Sequence, residues 1–301
     1  MPVIEVDDLK KRYGNVHAVN GVSFHVEAGE IFGILGPNGA GKTTTVECLQ
    51  GLRRHDGGRV RVLGLDPARS ERELRRRIGS QLQESALPDR MQVWEALDLF
   101  ASVRRDGPDW RTLLDTWGLA DQANTSFASL SGGQRQRLFI ALALVNDPEV
   151  VFLDELTQGL DPGARRVAWD LIEQVRERGT TVVLVTHYMD EVERLCDRVA
   201  IVDQGRVVAA GTPSGLVTQT QGVVTVRFST SAPDLSFLTR IRYIDTIDRH
   251  GDQVVVGGRG PVLALTASAL VEHGIVPEDL RADHPSLEDV YLSLTSRRES
   301  R

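Results

Sequence analysis

The sequence predicts an α/β protein with a mixed, mostly parallel sheet, followed by a smaller α+β unit. Three observations point there. Short apolar runs alternate with helical patterns between Ile31 and Val202. A glycine-rich loop, Gly36-Pro37-Asn38-Gly39-Ala40-Gly41-Lys42-Thr43, stands between one such run and a helical segment. Composition changes near Gln219-Thr220-Gln221-Gly222, and strand-like and helix-like segments then resume. The expected division is 1–218 and 219–301, which suits a chain of 301 residues.

Residues 3–9 and 22–28 alternate apolar and polar, as half-buried strands do, with a turn signal at Gly14-Asn15. Ile31–Leu35 is a buried strand, 42–52 a helix and 60–65 another strand. Arg69 to Arg77 reads as a charged helical segment with a solvated basic face. A strand-like Ile78-Gly79-Ser80 follows. Val93, Trp94, Leu97, Phe100, Ala101 and Val103 recur near a 3.6 period, and Asp106-Gly107-Pro108-Asp109 breaks that pattern. Residues 87–145 therefore read as a helical insertion whose last helix runs from Gln136 to Val145. Strands at 150–153, 181–185 and 199–202 alternate with helices at 163–178 and 189–195. In the second unit, 223–229 and 253–256 read as strands and 261–273 as a helix. A terminal helix begins near Ser286, its N-cap.

Hydrophobic residues make up 41% and charged residues 26%, a balance that allows a sizeable core. The net charge of −7 and pI near 5.6 argue against a general nucleic-acid binder. Cys48 and Cys196 lack metal-ligand spacing and read as buried free thiols in a reducing compartment. The first residues have neither a basic start nor a long apolar run, so no signal peptide is expected. No stretch reaches the roughly 18 to 20 apolar residues that span a bilayer.

The glycine-rich loop is a phosphate cradle. Backbone N–H groups surround a phosphate only where side chains leave room, and Gly36, Gly39 and Gly41 leave it. Lys42 supplies positive charge, and Thr43 can offer its hydroxyl to Mg²⁺. Asp154 ends the apolar run Val150-Val151-Phe152-Leu153, where a carboxylate can hold the metal. If Glu155 continues that strand, it points to the opposite side and is free to polarise a water as general base. His187 directly follows the strand 181–185. Read alone it is as readily structural as functional. Gln83 and Gln81 compete as a loop amide able to ligate Mg²⁺ or place water, and spacing does not separate them. Leu130-Ser131-Gly132-Gly133-Gln134 lies between the cradle and the carboxylates, where few phosphate-loop enzymes carry such a piece.

Over residues 3–215 the chain resembles the ATP-binding subunits of ABC transporters, P-loop NTPases with an ABC ATPase domain. Residues 36–43 match the Walker A motif and 150–154 the Walker B motif, and Leu130 to Gln134 match the signature without substitution. Gln83, followed by Glu84, matches the Q-loop, Asp161 the D-loop and His187 the H-loop. The resemblance implies ATP binding by Tyr13, stacked on adenine, and by Gly36 to Thr44, that is Gly36, Pro37, Asn38, Gly39, Ala40, Gly41, Lys42, Thr43 and Thr44. It implies Mg²⁺ held by Thr43, Gln83 and Asp154, and catalysis by Glu155 with His187 and Gln83. It also implies a homodimer in which Ser131, Gly132 and Gly133 close over ATP bound to the other copy. Gln134-Arg135-Gln136-Arg137-Leu138 and Ser286-Leu287-Glu288-Asp289-Val290-Tyr291-Leu292 resemble the daunorubicin-resistance subgroup, which pairs with separate export permeases. That implies a peripheral place on the cytoplasmic face of the membrane, held by the permease.

Leu156-Thr157-Gln158 departs from the usual Pro-Thr-Ser after the glutamate. The lost proline is expected to loosen the turn into the D-loop, and Gln158 to alter a contact across the dimer. Two other readings compete: a soluble ABC ATPase acting on ribosomes or DNA, and a small-molecule kinase. Ribosomal members carry two cassettes, repair members carry long insertions, and a kinase has no use for the signature. The segment 219–301 reads equally as a regulatory or dimerising domain and as a passive extension.

Overall fold

The computed structural model describes residues 1–81, 86–103, 109–219, 223–283 and 285–299, the last helix by backbone alone from 295. It forms two compact units, Met1–Pro213 and Ser214–Arg301. Thr220-Gln221-Gly222, the core of the expected linker, lie outside the described residues. No helix among the described residues is long and apolar enough to cross a membrane.

The first unit opens with β1 (Pro2–Tyr13) and β2 (Val16–Glu27), an antiparallel pair longer than the sequence pattern suggested. Gly14, at the turn, takes a φ of 56°, a backbone that favours glycine. After β3 (Ile31–Leu35) and α1 (Lys42–Leu49) comes β4 (Gly57–Val62), which pairs with β1 to complete a three-stranded sheet. The charged stretch forms only one helical turn, α2 (Glu71–Leu74), before β5 (Ile78–Gln81). Its one buried side chain, Leu74, is too little apolar surface to anchor a longer helix.

The insertion contains α3 (Val93–Ala101) and α4 (Arg111–Thr116); Asp106-Gly107-Pro108 lie outside the described residues. In α3 the buried residues are Val93, Ala96 and Leu97, while Trp94 and Phe100 stay more than a third exposed. The expected apolar stripe is therefore split between a core and an open surface. Then follow α5 (Gly132–Leu144), β6 (Val150–Asp154), α6 (Pro162–Glu177), β7 (Thr181–Thr186), α7 (Met189–Leu195) and β8 (Arg198–Asp203). After β8 come β9 (Arg206–Gly211) and α8 (Pro213–Gln219), neither of them legible in the sequence. The hairpin into β9 turns at Gln204-Gly205, both at positive φ, where sequence signals look for Asn-Gly or Asp-Gly.

The main sheet has the order β5-β6-β7-β3-β8-β9, parallel except for the β8–β9 pair. Strands β3, β6 and β7 are buried along their whole length. The core between the two sheets holds Ile4, Leu9, Val26, Ile34, Phe152 and Val183, and Phe24 stacks on Phe32 at 5.1 Å. Both cysteines are buried free thiols. Burial pushes Cys48 up to about 11 and Cys196 upward as well, so neither is a ready nucleophile.

The second unit is a four-stranded antiparallel sheet, built from β10 (Val224–Ser229), β11 (Ile244–His250), β12 (Gln253–Gly258) and β13 (Arg281–Asp283) in the order β11-β12-β10-β13. Helices α9 (Val262–Glu272) and α10 (Leu287–Glu299) accompany it. Val226, Phe228, Leu238, Val254, Val256 and Leu270 form its core. A register shift between Ile244 and Thr246 breaks the period of β11, which hid that strand in the sequence. Ser286 caps α10: its hydroxyl accepts from Asp289 N–H at 3.3 Å, and the Asp289 carboxylate accepts from Ser286 N–H at 2.8 Å.

Candidate nucleotide site

In a parallel sheet all strand ends of one sense lie on one edge, and ligands collect there. The phosphate loop follows β3, Asp154 ends β6, and His187 follows β7, which lies between those two strands. Asp154 pairs with Val185 and Leu35 with Thr186, so the three strand ends are nearly level. Topology therefore gathers residues that are more than a hundred positions apart.

The glycines of the loop have separate tasks. A Cβ on Gly36 would stand 2.1 Å from Val202 O, and one on Gly41, at φ 96°, 2.2 Å from Ala18 O. Both are demanded by packing against neighbouring strands as well as by phosphate approach. Gly39, at φ 81°, faces open space, so backbone shape and ligand access, not packing, call for glycine there. Lys42, only 6% exposed, donates to Gly36 O at 2.8 Å and Pro37 O at 3.0 Å, spanning the loop from inside. Burial pushes its ammonium down, while Glu155 and Asp154 pull it back up. Ala40 N–H donates to Pro37 O, and Ala40 O accepts from Gly205 N–H, pinning the loop to the β8–β9 hairpin. Asn38 and Thr43 are exposed and Thr44 is half-buried on the first turn of α1.

Thr43 donates its hydroxyl to Asp154 Oδ2 at 3.3 Å. Asp154 Oδ1 is buried with no hydrogen-bond partner among the described residues. A hydroxyl beside an unpaired carboxylate oxygen is a donor set that suits a hard divalent cation. Gln81, the competitor of Gln83, is buried and donates to the Asp154 carbonyl at 3.4 Å, so it braces β6. Gln83 itself lies outside the described residues.

Burial, and then the nearby Glu155 charge, raise the Asp154 carboxyl to about 6, against help from Thr43 and Lys42. An acid raised in the folded state contributes stability that is full below its ordinary 3.8 and is lost as pH rises through about 6. Asp154→Asn removes that loss. It is expected to stabilise the nucleotide-free protein at about pH 8 by on the order of 1–3 kcal/mol, with the gain gone at about pH 4. Thermal unfolding at both pH values checks this; an equal gain at both would mean that charge burial is not the cause.

Glu155 does not continue the strand, as the sequence reading supposed. β6 stops at Asp154, and Glu155 takes a left-handed φ of 51° with its N–H on Val185 O at 2.8 Å. The turn, rather than the strand pleat, separates the two carboxylates. Glu155 Oε1 lies 3.2 Å from His187 Nδ1, and His187 packs on Tyr188 at 4.0 Å between ring centres. Leu156 is fully buried and Gln158 N–H closes on Glu155 O at 3.2 Å. The turn is thus closed by a backbone bond and a buried side chain where the missing proline would stand. Gln158 is exposed.

The signature does not precede its helix; it opens it. Ser131 is the N-cap of α5, its hydroxyl accepting from Gln134 N–H at 3.3 Å while Gln134 Oε1 accepts from Ser131 N–H at 2.8 Å. Gly132 and Gly133 form the first turn, and buried Leu130 anchors the approach. Asp161 caps α6 through Gly163 N–H at 2.8 Å and Ala164 N–H at 3.0 Å, with Pro162 at the first helical position. Ser131, Gly133, Gln134, Leu160, Asp161 and Ala164 line one cavity of about 480 Å³. This cavity is not lined by Lys42, Asp154 or Glu155. Tyr13 stands at the end of β1, 40% exposed, with Lys11 and Arg53 at 5.6 and 5.5 Å from its ring. Sequence reasoning missed Glu191, a fully buried carboxylate bonded to Thr157. Its signal was an acid beside the apolar positions Val192 and Leu195 of a short helix.

An ABC transporter family model matches residues 19–158. The chain is 38% identical to the daunorubicin resistance ATP-binding protein DrrA3 of Streptomyces coeruleorubidus, covering 97% of this chain and 95% of that one. It is 37% identical to a Nod factor export ATP-binding protein I of Ralstonia nicotianae, covering 98% and 94%. Among solved structures, an ATP binding subunit of an ABC transporter superposes with a TM-score of 0.67 at 28% identity, covering 72% of this chain and 93% of that one. A dimeric bacterial ABC transporter cassette superposes with a TM-score of 0.62 at 27% identity, covering 69% and 98%. With a phosphate loop, two adjacent carboxylates at the end of β6 and a helix-opening signature on one ABC-cassette fold, the chain belongs to the ATP-binding subunits of ABC transporters and is an ATPase.

Proposed function

We propose that this chain powers export by a separate integral membrane permease, as one of two identical subunits that sandwich ATP. Lys42 and the loop backbone hold the phosphates, and Tyr13 packs on the adenine. Thr43, Asp154 and Gln83 hold Mg²⁺, which supplies charge neutralisation at the phosphates when bound. Glu155 takes a proton from the attacking water and His187 orients both. Ser131 to Gln134 of one copy close over the ATP of the other, because their cavity stands apart from the phosphate loop. Asp161 serves that same junction from the cap of α6. The second unit, with a core of its own, supports the pairing as a dimerising or regulatory domain.

The observation that carries the permease is an apolar groove in the first unit. Leu52, Leu87, Phe100, Val103 and Phe139 line a cavity of about 500 Å³ beside Gln81, and Leu52, Phe100 and Val103 are exposed. An exposed apolar patch of this kind marks a protein contact. Relatives named for daunorubicin resistance and Nod factor export support a drug, a lipid or another hydrophobic compound as cargo. The chain then sits at the cytoplasmic face of the membrane through its partner. The net charge of −7 weighs against ribosomes or DNA.

Purification of the tagged chain from detergent-solubilised membranes tests the reading. An integral membrane protein is expected to co-elute in stoichiometric amount, and Phe100→Asp with Val103→Asp is expected to release it while ATP turnover persists. Stable co-sedimentation with ribosomes, and no membrane partner, would sink the proposal.

A further inference from the structure

The base, Glu155, stands on a turn rather than on a regular element, so its direction depends on what holds the turn. The backbone holds one side, through Glu155 N–H to Val185 O and Gln158 N–H to Glu155 O. Side chains hold the other. Thr157 donates its hydroxyl to Glu191 Oε1, and both residues are wholly out of solvent. Glu191 lies in the first turn of α7, and His187 stands just before that helix and reaches back to Glu155 at 3.2 Å. The contacts form a closed circuit of Glu155, Thr157, Glu191 and His187.

We propose that Thr157 and Glu191 are positioning residues: their buried clasp holds α7, and with it His187, against the turn that carries Glu155. The proposal rests on the reading of Glu155 as base. A buried carboxylate is costly, and Glu191 Oε2 has no hydrogen-bond partner among the described residues. An apolar side chain would serve packing better, so the clasp is not explained by stability. Val192 and Leu195 of this helix are buried too, but apolar packing has no direction, and its other polar ties are more open. Arg165 bonds Asp190 at 3.0 Å and lies 4.8 Å from the Tyr188 ring, with Asp190 exposed. Such ties hold long side chains loosely in water.

The test is steady-state ATP turnover of the full chain. Thr157→Val keeps volume and loses the donor; its kcat is expected to fall about tenfold with KM for ATP within about twofold of the parent. Thr157→Ser restores the hydroxyl and is expected to recover kcat to within about threefold. Glu191→Met covers the case in which Thr157→Val does not fold. Removing a buried carboxylate offsets the cost of leaving the Thr157 hydroxyl without its acceptor, so the variant is expected to melt close to the parent, yet to lose about tenfold in kcat. Parental kcat in Thr157→Val or Glu191→Met, or equal losses in Thr157→Val and Thr157→Ser, would overturn the clasp. Glu155→Gln is run alongside. Full turnover there removes the base and the clasp together, whereas a dead Glu155→Gln beside a fully active Thr157→Val removes only the clasp.

Discussion

Glu155→Gln is expected to slow ATP turnover by about 10²–10⁴-fold while leaving ATP affinity within about threefold of the parent, the range for loss of a general base. The amide matches the carboxylate in size and can still meet His187 Nδ1, but it takes no proton. The hydrogen bonds that shape the phosphate loop run from Lys42 to Gly36 O and Pro37 O and are untouched by the substitution; what Lys42 loses is the pull of the Glu155 charge. Binding and hydrolysis should therefore separate cleanly. The proposed sandwich further predicts that the variant traps ATP between two copies. Single-turnover kinetics and the solution mass with Mg²⁺ and ATP check both parts. A variant that hydrolyses at the parental rate removes Glu155 from its role, and one that stays monomeric with ATP bound removes the sandwich.

Gly79→Ala is expected to destabilise the first unit by about 3 kcal/mol or more, near the upper end for overpacking. Gly79 lies on β5 beside Val151, and its conformation suits any residue; space is the only obstacle. A Cβ there would stand 1.9 Å from Ala143 O and 3.1 Å from Pro148 Cγ. The nearest atom is backbone, so relief requires moving α5 away from the sheet. That helix carries Ser131 at its other end, some 20 Å away. Displacement at Gly79 should thus reach the signature, and turnover should fall more than ATP binding does. Unfolding by denaturant, with an unchanged slope, would report the stability loss. Parental stability would mean that α5 can slide without cost.

The nucleotide loop was legible because several independent signals coincide there: an apolar strand, glycines at fixed spacing, Lys-Thr and a helix. Ser286 was legible for a similar reason, since a cap is a local hydrogen bond to the next turn. Less local features were misread or missed. The turn at Glu155 was not foreseen, because a left-handed backbone is unusual for a non-glycine residue and leaves no pattern. The split face of α3 could not be foreseen, because which apolar residues meet a core and which meet an open groove depends on β5 and α5.

Local pattern alone determined most of the strand and helix order in the first unit up to β8, the candidate phosphate-handling residues and the family to which the chain belongs. Such signals act over a few residues and survive without the fold. Tertiary structure decided what depends on distant neighbours. It set Gly36 against Val202 and Gly41 against Ala18, placed His187 on Glu155, and buried Thr157 against Glu191. The physical reason is the parallel sheet: it brings the ends of β3, β6 and β7 to one edge in an order that the chain does not follow.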